Sequence, residues 1–193
     1  MAEPRSGNSR REVLRRGLAL GLGTGVLVAT SQLITATPAR AEVQSGWRYC
    51  TRCRSLVWGG SGGGDCAHPN YSTHSWNNSY SYVMHYKPDP IENSGQDQWA
   101  YCRDCKGMFF HYYADVKQGG YCEYNSGGPH DGLISADYVM PLSPADDRQG
   151  NWRYCINCDA MFWGGQEANS HCPTGGPHDR GASWNYYLQY TIG

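Results

Sequence analysis

Cysteine and histidine carry most of the reactive chemistry in this chain, and their spacing repeats three times. Cys50 and Cys53, Cys102 and Cys105, and Cys155 and Cys158 form three C-x-x-C pairs. Each pair is followed by a third cysteine (Cys66, Cys122, Cys172) and then by a histidine (His74, His130, His178). Three thiolates and one imidazole suit tetrahedral zinc, because a tight turn aims two sulfurs at one point and the later pair closes the site. Four protein ligands leave no position for a reacting water, so such a site stabilises a fold and does not hydrolyse anything. The set therefore predicts up to three structural Zn2+ ions. Disulfides are the competing use, and export favours them. Nine cysteines cannot all pair within one chain, however, and three per copy leave one over in each. Both readings stay open at this point. Thioredoxin-like redox chemistry needs a C-x-x-C ahead of a helix, and here strand-like segments flank it on both sides.

The cysteines sit in a larger repeat. Trp47-Arg48-Tyr49-Cys50, Trp99-Ala100-Tyr101-Cys102 and Trp152-Arg153-Tyr154-Cys155 share one pattern, and each C-x-x-C is followed by an apolar triplet (Leu56-Val57-Trp58, Met108-Phe109-Phe110, Met161-Phe162-Trp163). The second and third copies share Gly-Gly-Pro-His-Asp, ending at Asp131 and Asp179. The first copy lacks it, so its histidine is chosen by register. His130 and His178 are followed at fixed offsets by Ser135 and Tyr138 and by Ser183 and Tyr186; His74, with Ser79 and Tyr82, obeys the same rule, whereas His68 does not. His68, His85, His111 and His171 lack that support and are expected at the surface.

These ligands must be positioned by strands. Trp-x-Tyr-Cys alternates as a short strand, the cysteine pair makes a turn, the triplet returns, and a third strand closes the unit around Tyr80–Met84 and Trp184–Leu188. No helical periodicity is sustained, so the fold class is all-β. The copies span residues 46–86, 98–140 and 151–190, with connecting loops at 87–98 and 141–150. Two architectures suit three units of about 52 residues: a pseudo-threefold, β-trefoil-like body, or three zinc-ribbon-like beads. A unit that small buries little surface alone, which favours one body. The repeated Trp47, Trp99 and Trp152 are expected in its core, replacing missing aliphatic side chains.

Aromatic residues that vary between copies are the better surface candidates: Trp76, Tyr112, Tyr113, Tyr124 and Trp184 are read as ligand-binding. Planar rings on a repeated scaffold suit a glycan, each weak site adding by avidity. Asp131 and Asp179 look exposed, but the first copy has Ser75 there and neither has a carboxylate at a fixed partner spacing. No catalytic triad, H-E-x-x-H or G-x-S-x-G element occurs, so no enzyme is expected. Beyond residue 41 the chain holds ten basic and fifteen acidic residues, which gives no grip on phosphate backbones and argues against nucleic acid. The expected partners are extracellular glycan or cell-envelope material, or alternatively a secreted protein for which this chain is a structural or adaptor subunit.

Residues 1–41 read as an address. Ser9-Arg10-Arg11-Glu12-Val13-Leu14, ahead of a glycine-diluted apolar stretch and Ala39-Arg40-Ala41, resembles a twin-arginine (Tat) signal peptide with its cleavage site. That resemblance implies a secreted mature domain of residues 42–193, with no membrane attachment after cleavage, and export of an already folded protein that can load metal beforehand. The repeat itself resembles a tandem cysteine-rich family of exported actinobacterial-type proteins, of the form W-[RA]-[YW]-C-x-x-C followed by C-P-x-G-G-x-H-D. Cys172-Pro173-Thr174-Gly175-Gly176-Pro177-His178-Asp179 matches best. The resemblance supports export and repetition, and assigns no activity.

Overall fold

Each copy opens on a strand whose alternation buries tryptophan: β1 (Val43–Tyr49), β4 (Gln96–Tyr101) and β9 (Arg148–Tyr154). The chain turns through the cysteine pair and returns on β2 (Leu56–Trp58), β5 (Met108–Phe110) and β10 (Met161–Trp163). A third strand follows in each copy: β3 (Ser81–Tyr86), β8 (Tyr138–Met140) and β11 (Tyr186–Thr191). The second copy adds a two-stranded ribbon, β6 (Gln118–Gly119) with β7 (His130–Asp131). This computed structural model describes residues 43–60, 62–87, 95–112 and 115–192. Residues 1–41, expected to be a signal peptide, and Tyr113 lie outside the described residues.

Register is the same in every copy. Trp47 opposes Trp58, Trp99 opposes Phe110 and Trp152 opposes Trp163. On the other side of the same tryptophans lie Tyr82, Tyr138 and Tyr186. Ser79, Ser135 and Ser183, three residues ahead of those tyrosines, accept hydrogen bonds from the backbone N–H of Tyr49, Tyr101 and Tyr154 at 2.7–2.8 Å. The fixed Ser–Tyr offset that selected His74 is thus a device for locking the third strand onto the first.

The copies close into a ring. Trp58 N–H donates to the Lys106 carbonyl, Phe110 N–H to that of Asp159 and Trp163 N–H to that of Arg54, each at 2.9 Å. The first copy grips the second, the second the third, and the third the first. Arg54, Lys106 and Asp159 follow the second cysteine of each turn and adopt φ of 71°, 65° and 60°. A left-handed conformation costs a non-glycine residue roughly 1–2 kcal/mol, and here it turns the carbonyl outward to meet the next copy. The tyrosines run the ring in the opposite sense: Tyr138 hydroxyl donates to Gln44 Oε1, Tyr186 to Gln96 and Tyr82 to Gln149. Gln44 and Gln96 also accept the indole N–H of Trp47 and Trp99.

The core sits where these rings meet. Trp47, Trp99 and Trp152 are fully buried with Leu56, Met108, Met161, Met84, Met140 and Leu188. Tyr138, Tyr186 and Tyr82 meet the three tryptophans edge-on at centroid distances of 5.5, 5.3 and 5.1 Å. T-shaped pairs of this kind add about 0.5–1.5 kcal/mol each beyond the burial of their area.

One interlocked body therefore forms in place of three beads, because every copy completes its hydrogen bonding on its neighbours. Three expectations need correction. The connecting loops are shorter than read, since β4 and β9 reach back to Gln96 and Arg148 to place the glutamines. The glycine-rich loop of the third copy contains a 3-10 segment, Gly164–Asn169, interrupted at Gln166 and too short to register as helical periodicity. His85 and His111 are buried, not on the surface: His85 Nε2 lies 3.3 Å from Gln189 Oε1 and His111 Nε2 lies 3.6 Å from Asp137.

Urea unfolding followed by tryptophan fluorescence and far-ultraviolet circular dichroism is expected to give one coincident transition; three separable transitions would contradict the ring. Trp99→Ala should lower stability by about 3–5 kcal/mol, read as a shift of the same midpoint.

Candidate metal centres

The tight turns bring the sulfurs together. Arg54 N–H bonds the Cys50 carbonyl, Lys106 that of Cys102 and Asp159 that of Cys155, at 2.9–3.0 Å, which folds each C-x-x-C so that both thiols face the same point. All twelve residues singled out from the sequence converge in three groups: Cys50, Cys53, Cys66 and His74; Cys102, Cys105, Cys122 and His130; and Cys155, Cys158, Cys172 and His178. In each group the four ligand atoms lie within 4.8 Å of one another, and every residue is buried. His74, not His68, completes the first.

The distances test what the groups can hold. The first and third cysteines of each group are 3.9–4.0 Å apart at sulfur, nearly twice the S–S bond of about 2.05 Å. All nine cysteines are free thiols; the disulfide alternative is not what this structure contains. A tetrahedral ion with Zn–S of about 2.3 Å sets sulfurs about 3.8 Å apart, and with Zn–N of about 2.0 Å sets sulfur and nitrogen about 3.5 Å apart. The second cysteine of each pair lies 3.5, 3.4 and 3.4 Å from the Nδ1 of His74, His130 and His178. Three buried Cys3His groups therefore fit tetrahedral zinc, which when bound would offset most of the thiolate charge and tie three chain segments together.

Electrostatics point the same way. Thiols this close in a dry site cannot all ionise without a cation, and they split accordingly. Hydrogen bonds from Cys53 and Cys66 pull Cys50 far below the thiol range, and Cys105 and Cys122 do the same for Cys102. Burial pushes Cys53 up to about 12. Burial also lowers the imidazoles, but the neighbouring thiols outweigh it and raise His74 and His130 to about 9. A bound divalent cation removes this conflict by stabilising every thiolate at once.

The other histidine nitrogen does a second job. His74 Nε2 lies 3.0 Å from the Cys105 carbonyl oxygen, His130 Nε2 lies 3.1 Å from that of Cys158, and His178 Nε2 lies 3.2 Å from Ser55 Oγ. Each centre is thus hydrogen-bonded to the cysteine turn of the next copy. Phe109 and Phe162 stack on His130 and His178 at 4.9 and 4.7 Å and fix the ring planes. Gly64 and Gly120, both at φ +59°, let the backbone pass this junction: a Cβ at Gly120 would sit 2.1 Å from the Cys158 carbonyl oxygen. No local motif signals these cross-copy contacts.

No protein-family profile, no curated protein and no solved structure matches the chain.

The aromatic candidates divide. Tyr112 and Trp184, each 56% exposed, line one cleft of about 300 Å³ with Phe110, Tyr154, Gln96 and Ser183. Tyr124 is 59% exposed and lines neither that cleft nor a metal group. Trp76 is half-buried against Cys50, Cys53 and Val57, where it walls the first centre. Asp131 is partly covered, pairs with Arg103 at 3.0 Å and accepts the Leu133 N–H. Asp179 accepts the Gly181 N–H in the equivalent turn.

Cys122→Ala is expected to lower the metal content, measured by plasma mass spectrometry, from three to two equivalents per chain. Gly120→Ala should destabilise the protein by more than about 2 kcal/mol, through left-handed strain added to a backbone clash, read as a loss of thermal midpoint.

Proposed function

We propose that the protein is an exported, non-catalytic binding module held together by three structural zinc ions, and that it binds glycan or cell-envelope material. Zinc is supported by the match of sulfur and nitrogen spacings to a tetrahedron and by the absence of a fifth, open ligand position in a closed Cys3His set. Export rests on the twin-arginine-like segment and its cleavage pattern.

The observation that carries the binding reading is a break in symmetry. Tyr112 and Trp184 come from different copies yet line one cleft. The positions equivalent to Tyr112 are Gly60 and Gly165, and those equivalent to Trp184 are Tyr80 and Ala136. A ring that folds with glycine and alanine there has no structural need of an exposed tyrosine and tryptophan. Their faces, with Gln96 and Ser183 beside them, supply the flat apolar surface and the few polar groups that a sugar ring requires.

A second reading, an adaptor in a secreted assembly, is supported by Leu133 and Ile134, which are 70% and 71% exposed side by side. Solvent-facing aliphatics in sequence are a feature of contact surfaces.

In a pull-down with purified cell-wall polysaccharide and peptidoglycan, the wild-type protein should be retained and Trp184→Ala and Tyr112→Ala should each lower retention at least tenfold with unchanged metal content. Retention on none of these materials would remove the glycan reading, and a stoichiometric protein partner that is lost on Leu133→Ser/Ile134→Ser substitution would favour the adaptor.

A further inference from the structure

A second cleft breaks the threefold pattern with a different chemistry. It lies where the third copy meets the first, encloses about 770 Å³, and is lined by Arg52, Arg54, His68, Tyr71, Asn169 and His171 among others, with no carboxylate in its wall. That is unusual for a chain whose described part is net acidic. The equivalents of Arg52 are Asp104 and Asn157, and those of Arg54 are Lys106 and Asp159. His68 is replaced by Tyr124 and Thr174, and His171 by Asp65 and Tyr121. The framework thus tolerates acids and neutral groups at these positions, and only one junction collects two guanidinium groups and two imidazoles.

The cationic wall is built in advance. The Arg52 guanidinium lies over the Tyr71 ring at 4.0 Å and donates to the Thr73 carbonyl at 2.5 Å. Tyr71 packs on His68 at 4.7 Å and His68 on His171 at 4.0 Å, both pairs tilted, so four planar groups form one continuous row of contacts. The His171 backbone N–H is tied to the Cys53 carbonyl at 3.2 Å. Arg54 donates to the Tyr49 hydroxyl at 3.0 Å and to the Thr51 carbonyl. Each guanidinium carries five N–H donors, so these tethers use only part of either group. Fixing an arginine before the ligand arrives removes part of the ordering cost of binding, and a planar fork of donors suits the oxygens of a phosphate.

We propose that this cleft is a phosphate-binding site, with Arg52 and Arg54 as the charged donors and His68 and Asn169 as further hydrogen-bonding groups on its rim. The site is separate from the Tyr112–Trp184 cleft, and its assignment does not depend on that cleft binding a sugar. A phosphate borne on a polyol or glycan chain and free phosphate share this chemistry, and the size of the cleft leaves room for the chain that carries the group.

The test is calorimetric titration of the full protein, at constant ionic strength, with inorganic phosphate and with poly(glycerol phosphate). Saturable binding is expected. Binding of both probes, with the polymer tighter, assigns the site to polymer-borne phosphate; binding of inorganic phosphate alone assigns it to the free ion. Arg52→Gln and His68→Asn should each weaken binding, Arg52→Gln at least tenfold. Arg180→Gln, whose partner is Glu167 at 3.2 Å, should leave it unchanged. Amide and side-chain NMR shifts of the unaltered protein should move at Arg52, Arg54 and His171. No saturable binding to either probe, or equal weakening by Arg180→Gln, would overturn the proposal, as would shifts confined to other surfaces. Circular dichroism and metal content of each variant separate loss of binding from loss of fold.

Discussion

The structure depends on histidines that use both ring nitrogens. In each centre Nδ1 faces the sulfurs while Nε2 reaches the turn of the next copy. A ligand whose second nitrogen is anchored has its ring orientation fixed, so filling a centre and closing the ring constrain the same side chain. The geometry is circular: the first centre holds the second turn, the second holds the third, and the third holds the first. The apolar core alone is thin, built from aromatics and methionines around the axis, and units of about fifty residues bury little surface individually. Linking the centres lets three weak units behave as one stronger body.

Much of this was legible in the residues. The ligand set could be read because chelation demands particular side chains at particular spacings, and the Ser–Tyr offset located His74 where the glycine-proline motif had been lost. Trp47, Trp99 and Trp152 were placed in the core because a chain poor in aliphatics has little else with which to fill one. What could not be read is what lies between copies. The Arg54, Lys106 and Asp159 turns are left-handed without being glycine, and the bonds they serve join residues about fifty positions apart. Local patterns hold no record of either. The buried His85 and His111 were missed for the same reason, since their surroundings come from distant strands. Trp76 varied between copies and so resembled a surface residue, yet it covers the first centre, where the first copy has only Val57 in place of the phenylalanines of the others.

Threefold repetition also separates framework from specialisation. Positions that recur in kind are those the ring requires: the ligands, the tryptophans, the tyrosines and the glutamines beneath them. Where equivalent positions differ sharply, folding does not set the residue. Two such places stand out, the aromatic cleft between the second and third copies and the arginine-histidine cleft between the third and first. A rigid frame that presents unlike surfaces at like junctions is what the proposed recognition of an extended, chemically mixed ligand would use.

The central claim is that three Cys3His centres hold metal and clasp one another through their histidines. A crystal structure with anomalous diffraction measured on both sides of the zinc absorption edge tests it most directly. Three anomalous peaks are expected, each about 2.3 Å from three sulfurs and about 2.0 Å from one Nδ1, with the Nε2 atoms bonded to Cys105 O, Cys158 O and Ser55 Oγ. Sulfur–sulfur bonds in place of the peaks, or histidines turned away from the neighbouring copy, would contradict it.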